Sequence, residues 1–189
     1  MNDENLIHGS VAAGFEAVKS TFAEVVAAEN GQLSAQLAAY HHGKLVVDLW
    51  SGPETTADAL FDTYSASKGA GALVVALLLQ DGLLSLDEKV SYYWPEFAAK
   101  GKENITLRQL MSHQAGLPGA DYGFTADELT DDRRVAEQLA RQRPYWNPGS
   151  AFGYHALVFG ALLNEVVCRV TGRTVQQHFS ERVQQAYDV

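Results

Sequence analysis

Cysteine is nearly absent: Cys168 stands alone among 189 residues. A single thiol excludes an internal disulfide and a cysteine-based zinc site. Basic charge is also scarce. The chain has 14 Lys and Arg against 23 Asp and Glu, a formal net charge of −9, with no cationic cluster. Such a field repels phosphate backbones, so nucleic acid is not an expected partner. Long apolar runs are missing as well. The longest, residues 73–79, falls far below the roughly 18 residues of a membrane span. Residues 1–10 are polar and acidic, not basic and then apolar as in a secretory leader. The expectation is a cytoplasmic chain with no membrane span. What remains is 47% hydrophobic and 20% charged, a globular composition that excludes disorder and collagen-like repeats.

Hydrophobic periodicity predicts a mixed α and β chain. Phe15, Val18, Phe22, Val25 and Val26 recur three or four apart, which predicts an amphipathic helix over residues 12–30, ended by Asn30-Gly31. Two β-prone runs, 33–40 and 44–50, flank His41-His42-Gly43 and predict an antiparallel hairpin. An extended lead-in at 60–64 should feed a helix over 65–80, apolar on every side at 73–79 and therefore central and buried. Short helices are expected at 106–112 and 131–141, a Pro- and Gly-containing loop at 143–153, and helices at 154–171 and 174–187. Two strands alone make an unstable sheet, and the last helix runs to the end of the sequence without a cap. Both features suggest an incomplete fold.

Chemistry points first to Ser65-Ala66-Ser67-Lys68. Ser65 has a lysine three positions later, and at a helix start i and i+3 share a face. A serine hydroxyl needs a base to become a nucleophile, and Lys68 can serve if apolar surroundings depress its pKa. The helix N-terminus would favour an oxyanion near the Ser65 amide. The same spacing is common on solvated helix faces, so alone it is weak. Tyr154, at the expected mouth of the 154–171 helix, is a candidate proton relay, although an aromatic there usually packs. A dinucleotide site at Gly69-Ala70-Gly71 is rejected, because Val74 occupies the third glycine position. His41 and His42 should point to opposite faces of a strand, His113 reads as a histidine at a helix C-terminus, and no metal-ligand spacing occurs. Cys168 reads as a buried small hydrophobe. No cofactor and no metal are expected.

The order of segments is more specific than any one of them. Gly43-Lys44-Leu45-Val46-Val47-Asp48-Leu49-Trp50 is followed by Ser65-Ala66-Ser67-Lys68-Gly69 and Gly82-Leu83-Leu84-Ser85-Leu86-Asp87. Then come Tyr93-Trp94-Pro95-Glu96-Phe97, Ile105-Thr106-Leu107-Arg108-Gln109-Leu110-Met111-Ser112-His113 and Ala115-Gly116-Leu117-Pro118. Trp146-Asn147-Pro148-Gly149 and Tyr154-His155-Ala156-Leu157 complete the set. From about residue 11 to 183 this resembles the serine β-lactamase-like superfamily, and within it the class C β-lactamase-related esterases known as family VIII carboxylesterases.

The resemblance implies an α+β fold of the β-lactamase/transpeptidase type, truncated. An N-terminal helix and hairpin (about 11–64) belong to the α/β domain, and 65–189 carries the Ser-x-x-Lys helix and the helical region. The C-terminal sheet strands, with their third motif and second oxyanion amide, have no counterpart, so 1–189 reads as one partial domain. By the same resemblance Ser65 is the acylated nucleophile, Lys68 its base partner and Tyr154 the tyrosine of the second motif. Ala156 stands where that motif has Asn, which favours small-molecule esters over β-lactams. A non-catalytic or partner-binding fragment, and a penicillin-binding or D-amino-peptidase-type enzyme, are the alternatives. The oligomeric state is not legible.

Overall fold

The computed structural model describes residues 7–29 and 33–187. The Asn30-Gly31 breaker and the last two residues lie outside the described residues. The chain divides into two compact units, Met1–Asp62 and Thr63–Val189.

In the first unit a three-stranded antiparallel sheet has the order β1-β3-β2, with β1 Ile7–Val11, β2 Ala35–His41 and β3 Lys44–Ser51. The expected hairpin forms. His42 and Gly43 both take left-handed backbone, φ 48° and 74°, which suits a two-residue turn to the right-handed twist of its strands. Because His42 belongs to the turn, strand alternation does not apply to it. The His41 and His42 rings meet edge to face, 4.1 Å between centroids, instead of facing apart. β1 was not expected. Its sequence alternates poorly, and Gly9 at φ 90° lies so close to Asp48 that a side chain there would collide with the β3 backbone. Helix α1, Glu16–Ala28, starts later than the periodicity suggests and joins Val26, Val18 and Phe22 to Ile7, Val47 and Leu49 in a small core.

The second unit is helical. Helix α2 (Ser67–Gln80) is preceded by a 3-10 turn, Tyr64–Ala66. Residues 60–63 lead in without forming a strand. There follow α3 (Val90–Tyr93), α4 (Leu107–Met111), α5 (Ala126–Leu129), α6 (Asp132–Arg141), α7 (Phe159–Thr171) and α8 (Val175–Phe179). Helix α2 is not buried all round: Val74, Val75 and Leu78 enter the core, whereas Leu73 remains 43% exposed. Trp94, Phe97, Leu110, Leu139 and Leu162 complete the centre of that core. Gly71 lets α2 approach α7, since a Cβ there would sit 3.2 Å from Leu163. Of the two glycines of α2 only Gly71 serves packing, for a Cβ at Gly69 would meet open space. Among the described residues no helix is long and apolar enough to cross a membrane.

Candidate active site

The site begins with an unfavourable backbone. Tyr64 has φ 44°, a left-handed conformation that costs energy for a residue with a Cβ. The 3-10 turn it opens places Ser65 two residues before α2, exposed at the surface of the helical unit. Ser67 is spent on structure, its hydroxyl donating to the Tyr64 carbonyl. Lys68, three residues after Ser65, turns back along the same face. Its Nζ donates to Ser65 Oγ at 3.1 Å and to the Ala156 carbonyl at 2.8 Å. Lys68 is half-buried rather than enclosed by apolar groups.

Tyr154 is not at a helix mouth. It lies in an irregular segment, and α7 starts five residues later at Phe159. Its ring centroid is 5.0 Å from Lys68 Nζ. Hydrogen bonding to the Ser65 hydroxyl, and then to Lys68, holds the Tyr154 phenol below the ordinary tyrosine pKa. The three residues selected from the sequence therefore converge, with Tyr154 in reach of both Ser65 and Lys68.

Two histidines hold the Tyr154 segment. His155 is fully buried. Its Nε2 accepts from the Leu117 N–H at 3.0 Å, which leaves the proton on Nδ1, 2.6 Å from the Gly153 carbonyl. Burial keeps this ring below the usual histidine pKa. His113 follows α4 in left-handed backbone, φ 61°. Its carbonyl accepts from Gly153 N–H at 3.1 Å, its Nδ1 accepts from His155 N–H at 3.2 Å, and its ring meets Tyr154 edge to face at 5.0 Å. Further along the same loop, Tyr145 N–H donates to Gly116 and Gly149 N–H to Gln114. Neither histidine was selected from the sequence. The adjacency of His155 to Tyr154 was the available signal, but the partners that give both residues meaning are distant in sequence.

A cavity of about 670 Å³ opens beside Ser65 and Lys68, bordered by Ala156, Leu157, Leu163 and Phe179, with Asp132 and Asn164 among its polar groups. Burial raises the Asp132 pKa, although Asn164 donates to it at 3.1 Å. Cys168 is half-buried, and burial first, then Glu165 and Asp132, push its thiol up, away from nucleophilic character. Among the described residues no group of three or more His, Cys, Asp or Glu side chains is arranged to hold a metal ion.

Known proteins share this arrangement of elements. The structure of EstA from Arthrobacter nitroguajacolicus Rue61a superposes with a TM-score of 0.86 at 44% identity, covering 94% of this chain and 48% of that one. A family VIII carboxylesterase superposes at 0.84 and 39% identity, over 94% of this chain and 50% of that one. Esterase/beta-lactamase LipL of Mycobacterium tuberculosis is 37% identical over 159 residues, 80% of this chain and 37% of its own length. The fold and these likenesses place the chain among proteins of the esterase/β-lactamase type. The Beta-lactamase family matches residues 18–188, and the chain belongs to it. It spans about half the length, or less, of these relatives.

Proposed function

We propose that this chain carries the nucleophilic half of an esterase acting on small carboxylic esters through a Ser65 acyl-enzyme. The observation that carries the reading is the contact of Lys68 Nζ with Ser65 Oγ at 3.1 Å beside a phenol made more acidic by both. With Lys68 donating to two oxygens, Tyr154 is the group able to accept a proton. Ser65 Oγ attacks the ester carbonyl carbon as its proton passes to the Tyr154 phenolate, and the cationic Lys68 stabilises that phenolate beforehand. Tyr154 then returns the proton to the departing alkoxide. Water attacks the acyl-enzyme by the same route and releases the acid. The Ser65 amide supplies one oxyanion donor. Ala156 at the third position of the Tyr154 motif supports esters over β-lactams as substrates.

A fluorophosphonate probe tests the nucleophile. Ser65→Ala should abolish covalent labelling and Ser67→Ala, whose hydroxyl only bonds the Tyr64 carbonyl, should leave it largely intact. Labelling that survives the first substitution and disappears with the second would reverse the assignment.

A further inference from the structure

We propose that His113 is a positioning residue, fixing the Tyr154 phenol against Ser65 and Lys68 by holding the peptide groups on both sides of that tyrosine. The inference rests on the role given to Tyr154 above. Gly153, immediately before Tyr154, donates its N–H to the His113 carbonyl, and His155, immediately after it, donates its N–H to His113 Nδ1. The His113 ring meets the Tyr154 ring edge to face at 5.0 Å and packs on Phe159 at the same centroid distance. One residue thus contacts the tyrosine from its two flanking peptides and from its ring.

The chemistry of that grip is specific. A backbone N–H can donate to Nδ1 only when that nitrogen carries no proton, so His113 must be the neutral tautomer protonated on Nε2. Burial and then the nearby Lys68 favour the neutral ring. His113 also keeps a left-handed backbone, φ 61°, uncommon for any residue with a Cβ although histidine and asparagine tolerate it better than most. An unfavourable conformation is retained at the residue whose carbonyl and imidazole both reach 153–155. Small displacements of a reacting group lower rates by up to about 10²-fold, so loosening this grip should be visible at Tyr154 itself.

The test reads Tyr154 without requiring turnover. In the full chain, the tyrosinate absorbance titration of each protein minus that of its Tyr154→Phe counterpart isolates the one phenol. His113→Ala should shift its midpoint upward, towards an ordinary tyrosine, and slow fluorophosphonate labelling about tenfold or more. His113→Asn, which keeps an acceptor and tolerates the backbone, should restore both. Circular dichroism checks that each variant is folded. Imidazole nitrogen spectra of the unsubstituted chain give a second readout that needs no variant: His113 should show a proton on Nε2 and a bare, hydrogen-bonded Nδ1. A proton on Nδ1, or an unmoved Tyr154 midpoint in folded His113→Ala, overturns the inference. If Tyr154→Phe alone leaves labelling unchanged, the functional reading fails instead, while a Tyr154 midpoint that moves with His113 still establishes the positioning.

Discussion

In the proposed mechanism Lys68 and Tyr154 divide the work on Ser65 by charge. Lys68 holds two oxygens and lies 5.0 Å from the phenol ring, so removing its cation should weaken Tyr154 as a proton acceptor. Tyr154→Phe is expected to lower the acylation rate by roughly 10² to 10⁴, the range for a lost proton-transfer group, with the fold intact, and Lys68→Met to slow it by weakening that acceptor. Stopped-flow acylation by a p-nitrophenyl ester measures both, and near-normal rates in either variant remove that residue from the mechanism. The Ser65 and Lys68 pairing was legible as an i, i+3 spacing. Tyr154 was a candidate from its expected position but gained weight only through the family resemblance, because nothing around it in sequence distinguishes a relay from a packing aromatic. His113 was not legible: the N–H bound by its Nδ1 comes from a residue 42 positions later.

A second lysine sets a separate pH dependence. Lys102 is entirely buried and donates to the Ala99 and Gln142 carbonyls. Burial, then Lys100, lower its pKa from 10.5 to about 8. Between those values the unfolded chain binds the proton that the folded chain has released, so stability rises with pH from about 8 to 10.5 and is lost as pH falls back through about 8. The shift corresponds to about 3 kcal/mol at most. Urea unfolding of the parent and Lys102→Met at neutral and at high pH should show the parent gaining on the variant in alkali. A difference that stays constant with pH would contradict this.

At the scale of elements, the sequence is most readable where a local rule acts alone. Helix α4 starts at a capping box, with the Thr106 hydroxyl accepting from Gln109 N–H and the Gln109 side chain accepting from Thr106 N–H, and the expected span of 106–112 frames it closely. The hairpin turn is equally local. By contrast β1 exists because it pairs with β3, a long-range gain invisible in Ile7-His8-Gly9-Ser10-Val11. The start of α7 moved for the same reason, as His155 is drawn into bonds with Leu117 and Gly153 instead of beginning a helix. Adding β1 still leaves β2 on the outside of the sheet, with Leu37 and Tyr40 exposed, 36% and 70%. An exposed strand edge carrying apolar side chains invites pairing between chains. The expected outcome is concentration-dependent association on gel filtration, reduced by Leu37→Lys. A monodisperse monomer at every concentration would show that this edge is protected.

At the scale of the molecule, all three proposed catalytic residues belong to the helical unit 63–189, so its local geometry can be interrogated directly. That geometry is open: Tyr154 is 47% exposed and Ser65 is exposed. Water then screens the developing oxyanion, so turnover at so open a site should be slow. Slow turnover makes the covalent intermediate easier to catch. The most direct test is therefore acid-quench mass spectrometry of the 189-residue chain after exposure to p-nitrophenyl butyrate, followed by peptide mapping. A single butyryl adduct on Ser65, absent from Ser65→Ala, is the predicted result. An adduct on Ser67 or on a lysine, or no Ser65 adduct under any quench time, would contradict the assignment of Ser65 as the nucleophile.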